Sequence, residues 1–192
     1  VLAVPELMRI MLDECGYAWD DAWDIVTRTV AYTNHTVMKE ALECWDIEMF
    51  RRRLPRIYQI IEEINRRFCE DMHGLGVDPY QVGRMAIIND GMIKMANLAV
   101  AACHSVNGVS KLHSEILKDT VFHDFYMVMP NKFKNVTNGI AHRRWLNQSN
   151  PALARLITEL IGDKYIYDAE ELQNLLKYKN DAQVLKELAK IK

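Results

Sequence analysis

Between Phe50 and Met72, apolar residues fall at positions 50, 54, 57, 61, 64, 68 and 72, a three-and-four spacing that lays one continuous hydrophobic stripe along a helix. Arg51, Arg52, Arg56, Glu62, Glu63, Arg66 and Arg67 take the other faces. A stripe this long must be covered, so it commits the chain to packing further apolar elements against it. Pro55 has no amide hydrogen and biases Leu54 away from helical geometry, so the segment divides into a short helix before Pro55 and a long one after it. Glu62 with Arg66, and Glu63 with Arg67, are the expected pairs along the long helix. Arg51, Arg52 and Arg53 point to three different faces of a helix, and the run reads as solvated rather than as a phosphate patch.

Enough material exists to cover the stripe: 49% of the 192 residues are hydrophobic, which suits one domain, or one and a part. Basic and acidic side chains nearly balance, 24 against 26, and basic clusters have acidic neighbours, so a nucleic-acid grip is not expected. The longest stretch without Asp, Glu, Lys or Arg, residues 95–110, is too short and too polar for a membrane span. Cys15, Cys44, Cys69 and Cys103 are widely spaced, with no Cys-x-x-Cys pair and no zinc-finger histidine. They read as reduced thiols of a cytoplasmic protein, and no metal site is expected.

Pro5 opens a helix expected at 5–15, closed by Gly16. Asp20 or Asp21 is the expected cap of a second helix, whose Trp19, Trp23, Val26 and Val30 recur at helical spacing before a short strand or loop. Residues 73–79 read as a breaker-rich loop, and 85–88 as a strand turning at Asn89-Asp90-Gly91. Residues 95–103 are apolar nearly all round, as for a buried helix. Val109, Leu112, Ile116 and Leu117 predict another helical face, ending near Thr120. Residues 127–141 read as irregular, followed by a helix over Pro151–Ile161 and one from Asp168 to the end.

The sequence contains no phosphate-binding glycine loop, nucleophile elbow, metalloprotease helix or calcium loop. Three small polar clusters stand out in apolar context: Thr33-Asn34-His35-Thr36, His104-Ser105-Val106-Asn107-Gly108 and Thr137-Asn138-Gly139. Amide, hydroxyl and imidazole groups donate and accept hydrogen bonds without a fixed charge, which suits hydroxyl-rich ligands. Spacing alone also allows ordinary turns and a buried histidine satisfied by a carbonyl.

These clusters sit within a longer collinear pattern: Leu2-Ala3-Val4-Pro5-Glu6-Leu7-Met8-Arg9, then Ala31-Tyr32-Thr33-Asn34-His35-Thr36-Val37, Glu40-Ala41-Leu42-Glu43 and Trp45. His104 to Val109 with His113-Ser114-Glu115, Asn131-Lys132-Phe133, and Thr137-Asn138-Gly139-Ile140 with Arg143-Arg144-Trp145-Leu146 continue it. In this order, over essentially its whole length, the chain resembles the α-glucan phosphorylases, the family of glycogen, starch and maltodextrin phosphorylase.

The resemblance implies transfer of the terminal glucosyl unit of an α-1,4-glucan to orthophosphate, giving glucose 1-phosphate, with pyridoxal phosphate as cofactor in the full-length enzyme. It implies that His35 and Asn138 share the glucosyl 6-hydroxyl, that Val109 lines the glucosyl pocket, and that Trp145 lines the cofactor site. An indole at 145 also suits plain core packing. The fold implied is a helix-rich α/β fragment of a two-domain glycosyltransferase: 1–136 ending an N-terminal Rossmann-like domain, and 137–192 opening the C-terminal one. Met38-Lys39 and Ala141-His142 depart from the family's Leu-Pro and Thr-Pro. Nothing matches the family's cofactor lysine, its orthophosphate-holding basic residues or the glycine-rich stretch near that lysine. The chain alone is therefore expected to be inactive and to bind no cofactor covalently. The parent is expected to be a homodimer, and the fragment to self-associate through exposed apolar faces. The rival from a different class is a stand-alone glucan-binding or regulatory module.

Overall fold

In the computed structural model, which describes residues 1–191, the chain divides into two units, Val1–Asn138 and Gly139–Lys192. The first opens with α1 (Ala3–Arg9), which runs into a π-helical turn at Ile10–Glu14, and α2 (Trp19–Thr29). Then come β1 (Tyr32–Thr33), β2 (Cys44–Asp46), α3 (Ile47–Arg53), α4 (Pro55–Gly74) and α5 (Pro79–Met85). A hairpin of β3 (Ile88–Asn89) and β4 (Met92–Lys94) leads to α6 (Met95–Ala102), β5 (Val106–Gly108) and α7 (Lys111–Ile116). A π-helical turn at Leu117–Val121, α8 (His123–Val128) and β6 (Phe133–Asn135) complete the unit.

The stripe divides at Pro55 as the sequence requires. Leu54, at φ −134° and ψ 63°, breaks the backbone between α3 and α4 and leaves its own side chain exposed, the one member of the stripe that is not buried. Phe50, Ile57, Ile61, Ile64, Phe68 and Met72 are buried, joined by Tyr58 and Ile60. Helices α1, α3 and α6 pack against α4. All eight residues of α6 are buried, which is why no polar face is visible in its sequence. One expected ion pair is replaced. Glu63 does bind Arg67, at 2.6 Å, but Arg66 turns to Glu63 and Glu70, while Glu62 accepts a hydrogen bond from the Tyr58 hydroxyl. The fork of Arg66 spans carboxylates one turn to either side, an arrangement that a single partner at Glu62 does not offer.

Two three-stranded sheets flank this core. In one, β1, β5 and β6 lie in the order β1-β5-β6, all parallel, with Thr33 beside Asn107 and Gly108 beside Asn135. The other is antiparallel, in the order β2-β4-β3. Its hairpin turns at Asp90 (φ 52°) and Gly91 (φ 72°), both left-handed, as a tight two-residue turn with the sheet's own twist demands.

The structure corrects several expectations. Helix α2 has Ala18 at its N-cap, and Asp20 and Asp21 sit inside its first turn, where carboxylates favour the helix dipole without capping it. The expected loop over 73–79 ends at Asp78, whose carboxylate accepts from the Tyr80 and Gln81 amides and starts α5, with Pro79 at the first position. Leu112 is exposed, and α7 buries His113 and Ser114 instead. The stretch read as irregular contains β6, and α8 precedes it.

The second unit holds a π-helical turn at Arg143–Gln148 and α9 (Pro151–Ile161), capped by Asn150, whose side chain accepts from the Leu153 amide. In place of one terminal helix there are a 3-10 segment, Ala169–Tyr178, and α10 (Ala182–Ile191). Tyr165 is the buried centre of this unit, its hydroxyl donating to the Ala154 carbonyl at 3.3 Å. Among the described residues no helix is long and apolar enough to cross a membrane, and no group of three His, Cys, Asp or Glu side chains is placed to hold a metal ion.

Candidate functional site at the carboxyl ends of the parallel strands

Three parallel strands end side by side, and the residues just past those ends are 34–36 after β1, 109–110 after β5 and 136–138 after β6. In open α/β sheets this edge is where ligands bind, because the loops there leave backbone and side-chain polar groups free. His35, Val109 and Asn138, from three separate sequence clusters, are thus brought to one edge of one sheet.

Each is held by local chemistry. Asn34 is 1% exposed; its Oδ1 accepts the Thr36 amide at 2.8 Å, and its Nδ2 donates to the Tyr32 hydroxyl at 3.0 Å. The first of these bonds closes an Asx turn around His35, leaving the imidazole exposed at its tip. Burial pushes the Tyr32 phenol up from its ordinary value, so it stays neutral as a partner for Asn34. His35 lines a cleft of about 280 Å³, together with Tyr32, Asn34, Thr36 and Glu43. The Glu43 carboxylate accepts from the Trp45 indole N–H at 2.7 Å.

On the other side, Asn107 carries the pairing beyond the end of β6: its Oδ1 accepts the Val136 amide at 2.6 Å. The Asn138 amide donates to the Val109 carbonyl at 3.0 Å, and its side chain is exposed. The Val109 amide in turn donates to His113 Nδ1 at 3.2 Å, so both backbone polar groups of Val109 are fixed. A ring nitrogen that accepts must be unprotonated, which leaves Nε2 as the donor, 3.3 Å from the Thr36 carbonyl. His113, 8% exposed, therefore joins the turn carrying His35 to the turn carrying Val109. Asn135 Nδ2 donates to Ser114 Oγ at 2.8 Å, tying β6 to α7.

Apart from the Glu43 carboxylate, the side chains named at this edge are amides, hydroxyls and imidazoles, which can donate to and accept from hydroxyls.

Trp145 belongs to the second unit. Its side chain is 63% exposed, so it is not core packing, and the Arg144 guanidinium lies 5.1 Å from its ring centroid. The π-helical turn that carries it is anchored by His142 and Arg143, both reaching the Ile166 carbonyl at 3.2 Å. A larger cavity, about 420 Å³ and walled in part by Arg84, Asp90, Lys94 and Phe122, lies against the β3–β4 hairpin and is lined by none of His35, Val109, Asn138 and Trp145.

The sequence singled out Asn107 only within a polar cluster and His113 only within the family pattern, and gave no role to Asn135. Ser110 was the available signal for His113: its hydroxyl caps α7 by accepting the His113 amide at 3.1 Å, which points the imidazole back to the strand end.

The parallel-sheet edge gathers amide, hydroxyl and imidazole groups on an α/β framework, and sequence comparison supplies the family. The carbohydrate phosphorylase family model matches residues 1–192, and the chain belongs to that family. It is 51% identical over 181 residues to glycogen phosphorylase of Bacillus subtilis (strain 168), covering 94% of this chain and 23% of that protein. The muscle form of glycogen phosphorylase is 47% identical in Bos taurus and 48% in Homo sapiens, each over 195 residues that cover all of this chain and 23% of the relative. The chain thus spans about a quarter of the length of these relatives.

Proposed function

We propose that this chain is part of an α-glucan phosphorylase, cytoplasmic and homodimeric, which moves the terminal α-1,4-linked glucosyl unit of a glucan to orthophosphate and releases glucose 1-phosphate. The observation that carries the proposal is the meeting of His35, Val109 and Asn138 at the ends of adjacent parallel strands. The exposed imidazole of His35 and the exposed amide of Asn138 hold the glucosyl 6-hydroxyl, one able to accept while the other donates, and Val109 forms an apolar wall beside them. Such a site rejects a sugar lacking that hydroxyl, because its polar groups are then left unpaired.

Residues 1–136 are proposed to end the N-terminal domain of this enzyme and 137–192 to open its C-terminal one. Trp145 fits a pyridoxal phosphate site as an exposed aromatic wall, beside which Arg144 places a positive charge. The cofactor, when bound, supplies a phosphate group for proton transfer. This chain contributes the surface against which it rests, and residues beyond these 192 supply the anchoring lysine and the orthophosphate grip. By itself the chain is proposed to carry no phosphorolysis.

The full-length enzyme, given an α-1,4-glucan and orthophosphate, is expected to release glucose 1-phosphate, and to release nothing when orthophosphate is left out. Release of free glucose without orthophosphate, or glucan binding with no turnover, would contradict the proposal; the second result would favour the glucan-binding module.

A further inference from the structure

We propose that His113 is a positioning residue for the sugar site, setting the spacing between the His35 turn and Val109 and so the fit of the 6-hydroxyl. This rests on the reading of His35 given above. His113 sits on α7 and does not itself line the cleft of His35, although Thr36, one of the lining residues, is its hydrogen-bond partner. Its ring nevertheless bonds to both turns: Nδ1 accepts from the Val109 amide, and Nε2 donates to the carbonyl of Thr36, the residue after His35. β1 and β5 make only two residue pairs, ending at Thr33 and Asn107, and the Asn34 amide adds one further bond to the Asn107 carbonyl. Beyond that point His113 supplies the hydrogen bond that joins the β1 turn to α7. The ring is placed by bonds of its own segment: Ser110 Oγ accepts the His113 amide, and the next residue, Ser114, packs so closely on Gly108 that a Cβ there would meet its backbone. A buried imidazole held at both nitrogens has one ring orientation and one tautomer, so its reach fixes a distance.

The test uses the full-length enzyme in the elongation direction, with a maltooligosaccharide primer and either glucose 1-phosphate or 6-deoxyglucose 1-phosphate. The ratio of kcat/KM for the two donors reads the 6-hydroxyl contact, and hydrogen exchange of residues 33–38 reads the turn. His113→Ala is expected to speed exchange there and to lower the ratio about tenfold, mostly through kcat. His113→Gln, whose Nε2 takes the place of the ring Nε2 toward Thr36, is expected to restore much of both. His113→Asn, whose Oδ1 replaces Nδ1 and cannot reach Thr36, is expected to resemble Ala in exchange, and it stands in for Ala should that variant not fold. A purely structural role would slow both donors equally and leave the ratio unchanged. If His35→Ala collapses the ratio while the His113 variants keep it, positioning by His113 is wrong and the sugar site stands. If His35→Ala also leaves the ratio intact, the reading of His35 has failed and the proposal falls with it.

Discussion

Gly108 lies directly against Ser114: a Cβ on the glycine would fall 2.8 Å from Ser114 Cα and 2.9 Å from Ser114 N. These are backbone atoms of α7 and cannot turn aside as a flexible side chain could. The glycine is required by close approach, which lets α7 sit on the end of β5 while Ser114 Oγ donates to the Ser110 carbonyl and accepts from Asn135. Gly108→Ala should therefore destabilise the protein by about 1–3 kcal/mol, as overpacking does. Denaturant unfolding checks this, and an unchanged midpoint would show that α7 can slide.

Lys132 should be a second sensitive position. Its ammonium donates to the Val100 and Ala101 carbonyls at 2.9 and 2.8 Å, satisfying the buried end of α6. Lys132→Met leaves those carbonyls without that donor and should cost about 1–3 kcal/mol. Burial pushes the lysine below its ordinary value of 10.5, with the Cys103 thiolate a smaller opposing influence. The folded state thus releases this proton more readily than the unfolded one, so stability rises with pH across the interval up to 10.5. Unfolding free energies of wild type and Lys132→Met, compared at neutral and alkaline pH, should show that slope in the wild type only.

Glu63 predicts the opposite edge of the pH range. Hydrogen bonds from Arg66 first and then Arg67 hold its carboxylate down to about 2. Because the folded value lies below the ordinary 4.5, the stabilisation is complete above that value and is lost as pH falls toward 2. The groups face solvent, so Glu63→Gln should cost only about 0.3–1 kcal/mol near neutrality, less in high salt and much less at pH 2. Equal stability loss at pH 2 and pH 7 would show that the side chain acts through packing.

The long helix, its division at Pro55 and the buried helix α6 were legible because the hydrophobic pattern and a proline act locally. The parallel sheet was not. β1 spans two residues and β5 and β6 three each, too few for an alternating pattern to emerge, and their pairing joins positions more than 25 residues apart. Helix α5 was hidden because Gly74, Gly76 and Pro79 read as breakers, although Asp78-Pro79 is a helix start. Leu112 misled for a different reason: α7 faces the strand ends, so its buried side chains are the polar His113 and Ser114, whose partners are the Thr36 carbonyl and Asn135. His35, Val109 and Asn138 were singled out by the collinear resemblance to a family, since residue type alone also allowed ordinary turns, while the groups that hold them, being buried and polar, give no periodic signal.

His35 and Asn138 are proposed to act on one sugar hydroxyl, and a double-mutant cycle in the full-length enzyme tests this most directly. His35→Ala and Asn138→Ala should each lower kcat/KM for the normal substrate by about 5- to 150-fold, the range for removing a partner and leaving a buried group unsatisfied. The double variant should lose less than the product of the two, because both residues serve the same group. With a 6-deoxy substrate either replacement should cost little further. If instead the variants slow the 6-deoxy and normal substrates by the same factor, the two residues support structure rather than the hydroxyl, and the proposed sugar site is wrong.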